Sequence, residues 1–293
     1  MNHSTPVHYG IIGLGLLGSA IGRRLLAAGH SVLGFDIDEN SCERWVGWKG
    51  QLADSAEDVL RRAPHTLLSL PNSDCVRAVL DESRSALTAG HDILDTTTGS
   101  PEETMRIAEE VGRSGVRWLD TTVVGSSQHM LDGKAILLVG GSEAAYQDHA
   151  GLMKQLSERA FYVGPSGSAA RMKLVVNLVI GLNRAVLAEG LTFSEAMGFD
   201  PQTTLEIFQS SLAHSRVMDT KGEKMIQRDF TPQARLAQHL KDVDLILSAS
   251  ASNQLSLPLS SIHRDLLQRV VDLGDGQLDN SAIIKAFQQK PAK

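Results

Sequence analysis

The sequence predicts an α/β fold, a doubly wound and mostly parallel sheet, followed by an all-α domain. Three observations predict it. The opening residues run strand, glycine turn, helix, strand. Short apolar runs and helical stretches then alternate as far as Gly164, the signature of a mostly parallel sheet. From about residue 168 to 290 helical periodicity is nearly unbroken, and no convincing strand remains.

The first unit carries the most information. Val7 to Ile12 reads as a strand, and Ser31 to Asp36 as a second strand after an intervening helix. Between strand and helix lies Gly13-Leu14-Gly15-Leu16-Leu17-Gly18. In such a G-x-G-x-x-G run the first glycine permits the tight turn, the second lets the backbone approach a pyrophosphate, and the third lets the helix pack close to the strand. The helix N-terminus offers free N–H groups and partial positive charge to the phosphates. Asp36 closes the second strand, 23 residues after Gly13. An acid there accepts from the ribose hydroxyls and repels the extra phosphate of NADP, so NAD is favoured and NADP possible. The plainer alternative is a glycine turn beside a solvated aspartate. The full βαβ context favours a Rossmann-type dinucleotide site.

Taken in order, the segment around Trp45 and Trp48 suits a helix and loop. Ala63 to Pro71 reads as a third strand, stopped where proline cannot donate to a ladder. Ligands gather at the C-terminal ends of strands in such sheets, which sets Leu70 and Pro71 beside the cofactor. Residues 74–88 fit a helix. His91 to Asp95 is a fourth strand, and Ser100-Pro101-Glu102-Glu103 is a helix start with cap, proline and acids in place. Capping accounts for Ser100 but not for Thr96, Thr97 and Thr98, and Thr98 is a candidate ligand contact. Val116 to Asp120 is a fifth strand followed by a loop, Ala135 to Gly141 a sixth, and Ala160 to Val163 a short last one. Ser168 to Met197 can form one helix roughly 45 Å long at 1.5 Å per residue. The expected domains are therefore 1–164, dinucleotide-binding, and 165–293, all-helical and concerned with substrate and oligomerisation.

Composition narrows the partners. The chain has 293 residues, 42% hydrophobic and 21% charged, with a net charge of −6 and no basic block, which argues against a nucleic-acid partner. Cys42 and Cys75 have no metal or redox spacing, and suit a reducing compartment. Met1 to Pro6 lacks a signal pattern. The longest apolar run is interrupted by Lys173, Asn177, Asn183 and Arg184, too polar for a transmembrane helix. The expectation is a cytoplasmic protein with no membrane partner.

Lys173 and Asn177 stand at i and i+4 in the first turns of the long helix, and so share a face. A lysine among Met172, Leu174, Val175 and Val176 is not on an obviously solvated face. Buried lysines serve as general acids or bases. The bland reading is a snorkelling lysine with a surface asparagine. His129 falls in a polar loop, His214, His239 and His263 are scattered, and no cluster has metal-ligand spacing.

With these residues in hand, the chain resembles the β-hydroxyacid dehydrogenase family along nearly its whole length. Gly13 to Gly18 resembles the family's G-x-G-x-M-G turn, with Leu17 for the methionine. Ser69-Leu70-Pro71 resembles its M-L-P strand end, and Asp95 to Pro101 its D-x-S-T-x-x-P segment. Gly164 to Asn177 resembles G-P-x-G-x-G-x-x-x-K-x-x-N-N, Lys241-Asp242 matches its K-D-L segment, and Asp279-Asn280-Ser281-Ala282 resembles its closing helix. The resemblance implies a catalytic lysine at Lys173, aided by Asn177, and puts Thr98 and Lys241 at the cofactor. It also implies a substrate loop at Val124, Gly125 and Ser126. There the family's D-A-P-V-S-G-G becomes Asp120-Thr121-Thr122-Val123-Val124-Gly125-Ser126, which moves the hydroxyl and leaves the acid's identity open.

The implied activity is NAD(P)-dependent interconversion of a small 3-hydroxyacid and its aldehyde or ketone, and the long helix and helical second domain suggest a homodimer or homotetramer. Two alternatives stand beside it. One is a related reductase for another anionic headgroup, such as a sulfonate, or for an imine. The other is a nucleotide-binding protein without turnover.

Overall fold

The computed structural model describes residues 8–287. The expected strand start at Val7 and the segment Met1 to Pro6 lie outside them. The chain divides into two compact units, Met1–Lys173 and Leu174–Lys293.

The first unit runs β1 (Tyr9–Ile12), α1 (Leu16–Ala27), β2 (Val32–Phe35), α2 (Glu39–Gly47), β3 (Gln51–Leu52), α3 (Ala56–Arg62), β4 (His65–Leu68) and α4 (Ser73–Glu82). It continues through β5 (Asp92–Asp95), α5 (Pro101–Gly112), β6 (Arg117–Val124), α6 (Ser127–Leu131), β7 (Ile136–Gly141), α7 (Glu143–Asp148), α8 (Ala150–Leu156) and β8 (Arg159–Gly164). The strands form one eight-stranded sheet in the order β3-β2-β1-β4-β5-β6-β7-β8. Every pairing is parallel except β6 with β7.

The central strands are nearly continuous apolar runs because both faces are covered. Ile11, Leu67, Leu94 and Leu119 stand opposite one another in register and enter one core with Leu25, Trp45 and Val123. Their neighbours Ile12, Leu68, Ile93 and Trp118 enter the other core, with Leu33 and Leu60. The two-residue alternation of strand side chains makes this division. Trp45, expected in a polar helix-and-loop segment, is fully buried, and its indole N–H donates to the Gln51 carbonyl at 2.8 Å.

Three boundaries differ from expectation. The helix expected over 74–88 ends at Glu82, and a 3₁₀ turn covers Arg84–Ala86. The fifth long strand, β6, runs on to Val124, because Thr121 to Val124 pair antiparallel with β7 rather than forming a loop. The two-residue edge strand β3 was not expected at all.

The second unit holds most of α9 (Ser168–Ala196), then α10 (Pro201–Ser210), α11 (Arg216–Gln227), α12 (Leu236–Ser252) and α13 (Pro258–Asp272). The closing segment Asn280–Phe287 is a 3₁₀ run rather than an α-helix. Leu187, Ala188 and Leu191 of α9 pack with Leu205, Met225, Leu240, Val243, Leu267 and Ile283 in one core. Beside it Lys221 and Asp279 form a buried ion pair at 2.8 Å, and the Asp279 carboxylate also takes the N–H groups of Gln233, Ala234 and Ser281. By length and apolar composition alone, α9 could cross a bilayer. It carries Lys173, Asn177 and Arg184 as buried residues, which a bilayer interior penalises.

Candidate active site

The three turn glycines have three different reasons to be glycine. Gly13 adopts φ +95°, and a Cβ there would fall 2.3 Å from the Ser69 carbonyl oxygen. A Cβ on Gly18 would fall 1.9 Å from the Gly13 carbonyl oxygen, which forbids any side chain where helix meets turn. Gly15 has nothing within 4 Å of its Cβ position and faces open space. Helix α1 starts at Leu16 with no side-chain cap and no acid in its first turn, so its leading N–H groups are left for an anion. Leu16 is exposed beside this opening, and Leu17 packs against the core. The Asp36 carboxylate accepts the Leu14 N–H at 2.6 Å and the Asp38 N–H at 2.9 Å. Asp36 follows β2 as expected, and its carboxylate also reaches back to the glycine turn. A cavity beside Leu14, Gly15 and Leu16 is also lined by Arg23, Arg44 and Trp48, which sequence reasoning passed over.

The C-terminal ends of β4 and β5 are tied together by threonines. The Thr96 hydroxyl donates to the Leu68 carbonyl at 2.7 Å, and the Thr97 hydroxyl accepts the Leu70 N–H at 3.1 Å. Both side chains are buried, whereas Thr98 is half-buried. Two of the three threonines are thus structural, and Thr97 ties Leu70 to the strand end that carries Thr98. Beside them Asp95 is buried. Burial, with a lesser contribution from the Asp120 charge, pushes its carboxyl up to about 7 against the opposing hydrogen bonds from Thr97.

Strand β6 sets the start of α9. The Asp120 carboxylate accepts the N–H groups of Gly167 at 3.0 Å, Ala169 at 2.9 Å and Ala170 at 3.1 Å. These are among the N–H groups that a helix start leaves without intrahelical partners. Burial raises the Asp120 carboxyl above its ordinary range, and the three backbone donors oppose that rise. One turn into the helix, the buried Lys173 ammonium donates to the Val123 carbonyl oxygen.

Lys173 therefore sits beside the segment expected to bind substrate. Val124 is the last residue of β6, Gly125 turns with φ +145°, and Ser126 caps α6. The Ser126 hydroxyl accepts the His129 N–H at 3.2 Å and lies 3.1 Å from His129 Nδ1. His129 is thus on a helix rather than in a loop. The pairing with Ser126, unseen in the sequence, is a capping box.

In the helical unit, the Asn177 amide donates to the Asp242 carboxylate at 3.0 Å. The Lys241 ammonium lies 3.4 Å from the other oxygen of the same carboxylate. Asn177 and Lys241, named separately from the sequence, thus meet on Asp242.

One cluster with metal-binding side chains exists among the described residues, although the sequence spacing showed none. His65, Asp92 and His149 bring their ligand atoms within 4.8 Å of one another at the opposite, N-terminal ends of the strands. Arg117 already holds both oxygens of Asp92, at 2.6 and 2.7 Å, so the cluster is an ion-pair network as it stands.

Known proteins share this architecture. Residues 8–164 match the family described as the NAD binding domain of 6-phosphogluconate dehydrogenase. Residues 167–287 match the one described as NAD-binding of NADP-dependent 3-hydroxyisobutyrate dehydrogenase. The chain is 30% identical over 287 residues to 2-(hydroxymethyl)glutarate dehydrogenase of Eubacterium barkeri, covering 97% of this chain and 95% of that protein. It is 29% identical over 282 residues to 2-hydroxy-3-oxopropionate reductase of Escherichia coli (strain K12), covering 95% and 96%. A solved 3-hydroxyisobutyrate dehydrogenase from Salmonella typhimurium shares the fold with a TM-score of 0.88, at 23% identity over 95% of this chain and 99% of that one. Matched in both units, and along almost all of its length by dehydrogenases and reductases, this chain belongs to the β-hydroxyacid dehydrogenase family.

Proposed function

We propose that the protein interconverts a small 3-hydroxyacid and its aldehyde or ketone, with Lys173 as general acid and base and NAD as the favoured cofactor. The residues present fit a dinucleotide. Gly15 opens onto free space before an uncapped helix N-terminus, and Asp36 stands at the lip of the turn. Gly13 to Gly18 would hold the pyrophosphate and Asp36 the ribose. Leu70, Pro71, Thr98 and Lys241 are the further cofactor contacts that this reading assigns. When bound, the nicotinamide supplies or accepts the hydride.

The observation that carries the reading is the attachment of Lys173 to Val123. A carbonyl oxygen only accepts, so it fixes the ammonium in place and takes no part in proton transfer. In this reading the ammonium held there also meets the substrate oxygen. In reduction an ammonium proton passes to the carbonyl oxygen, and in oxidation the neutral amine takes the hydroxyl proton. Asn177, one turn further along α9, helps to hold the same oxygen. The Val124–Ser126 segment lies at the substrate's acid group in this reading, with the Ser126 hydroxyl and backbone N–H both engaged in the capping box with His129. The substrate of this reading is small and anionic.

The test is Lys173→Ala. Turnover should fall about 10²- to 10⁴-fold, the usual worth of a positioned acid or base, while NADH affinity stays within a few-fold of wild type. Near-normal turnover in that variant would refute the assignment.

A further inference from the structure

Beyond Asn177, the same face of α9 carries Gly181 and Arg184, at i+4 and i+7. Arg184 is 4% exposed, and its Nε and Nη1 have no hydrogen-bond partner. Gly181 lets two imidazoles reach this face, since a Cβ there would fall 2.6 Å from both His239 Nε2 and His263 Cε1. The two rings lie 5.2 Å apart between centroids. His263 is 2% exposed and its Nε2 also has no partner. Burial first, and then the nearby Arg184 charge, push the His263 imidazole down to about 4, so it is neutral at physiological pH and can donate one N–H.

A buried guanidinium with open donors is a costly arrangement. The carboxylates whose charges act on Arg184 are Asp279 and Asp242. Asp279 bonds Lys221 and three backbone N–H groups, and Asp242 bonds Asn177. They temper the charge of Arg184 without forming hydrogen bonds to its Nε or Nη1. An incoming carboxylate would do both, because the planar guanidinium fork matches a carboxylate and the His263 N–H adds a further donor. The position is also informative. Asn177 to Arg184 is a rise of about 10 Å, and long helical side chains lean back toward the N-terminus by several ångströms. That leaves the length of a short carbon chain between the Asn177 amide and the Arg184 fork.

We propose that Arg184 and His263 form a buried subsite for a second carboxylate, so that the preferred substrate is a dicarboxylic hydroxyacid. This rests on the hydroxyacid reading of Lys173 and Asn177. Arg184 fixes which acid is chosen rather than how it reacts.

Two compounds isolate the difference. In 3-hydroxyisobutyrate the carbon bearing the hydroxymethyl and carboxylate groups also carries a methyl. In 2-(hydroxymethyl)glutarate that methyl is replaced by a carboxyethyl arm. Wild type should prefer the dicarboxylate at least tenfold in kcat/KM, chiefly through KM. Arg184→Met should abolish the preference, and Arg184→Lys should retain part of it. Binding of glutarate and of pentanoate to the NADH-loaded protein, followed by calorimetry, repeats the comparison without turnover. Glutarate should bind wild type at least tenfold more tightly than pentanoate, and lose that advantage in Arg184→Met. If Arg184→Met does not fold, His263→Phe with Arg184→Lys carries the test, and both should narrow the glutarate advantage. Equal binding of the two acids by wild type, or an undiminished glutarate advantage in the variants, would overturn the subsite. Turnover of both hydroxyacids at equal efficiency would do the same and leave the dehydrogenase reading standing. A glutarate advantage that depends on Arg184, with turnover of neither compound, would support the subsite and count against the hydroxyacid reading.

Discussion

Lys173 is held by the carbonyl oxygen of Val123, three residues beyond the aspartate that receives the start of its own helix. One strand, β6, therefore sets both where α9 begins and where its lysine ends. The carboxylate of Asp120 is central to this, since three backbone donors converge on it.

Asp120→Asn should expose that dependence. An amide keeps one acceptor oxygen and turns an N–H₂ toward backbone N–H groups that need an acceptor. The expected loss is about 1–3 kcal/mol, the penalty for buried donors left unmade. Urea denaturation would measure it, and turnover should fall along with stability as Lys173 shifts.

The turn glycines separate folding from binding. Gly18→Ala should cost about 1–3 kcal/mol or more by overpacking, because its Cβ would sit against the Gly13 carbonyl. Gly15→Ala has open space and an ordinary φ of −65°, so its thermal midpoint should match or exceed that of wild type. NADH affinity of Gly15→Ala should nevertheless drop at least several-fold. Unchanged NADH binding in Gly15→Ala would show that the phosphates do not approach this turn.

Asp36 should set the cofactor. Fluorescence titration is expected to give NADH an advantage over NADPH of about tenfold or more, equivalent to about 1.4 kcal/mol. Asp36→Ala should erase most of the difference. A wild-type preference for NADPH would instead direct attention to Arg23 and Arg44 in the neighbouring cavity.

Asp95 should give the protein a pH-dependent stability. Its folded carboxyl, at about 7, lies above the ordinary unfolded value near 4, so the native state holds the proton more tightly. The resulting stabilisation is complete below pH 4 and is lost as pH rises through 7, by up to about 3–4 kcal/mol. Denaturant midpoints measured from pH 5 to 8 should fall for wild type and flatten for Asp95→Asn.

What the sequence disclosed follows from what is local. Gly13 to Gly18, Asp36 and the Ser100-Pro101 helix start are short-range signals, and each stands where the residues alone put it. The edge strand Gln51–Leu52 is too short to show a two-residue alternation, and α6 is too short to show a helical one. The continuation of β6 through Val124 was hidden because Thr121 and Thr122 look like loop residues until β7 pairs with them. Side chains that act at long range were harder still. Asp120 and Ala169 are 49 residues apart when counted from Ala169 to the carboxylate's own position. Asp242 was named only as the neighbour of Lys241, although it is the residue on which Asn177 and Lys241 meet. Arg184 appeared in the sequence as a mere interruption of an apolar run. A buried arginine on the lysine's own helix was the available signal.

The capping of α9 by Asp120 bears on how the chain can be dissected. A fragment cut after Gly164 would end where the last strand ends, and would strip the carboxylate of its three donors. The bare acid would then have to take up a proton or draw in water, and the Val123 carbonyl would lose its lysine. A fragment extended through Lys173 keeps every one of those bonds. The smallest autonomous nucleotide-binding piece of this protein should therefore be defined by a helix turn beyond its sheet, and expression trials that trim to the final strand should yield aggregate.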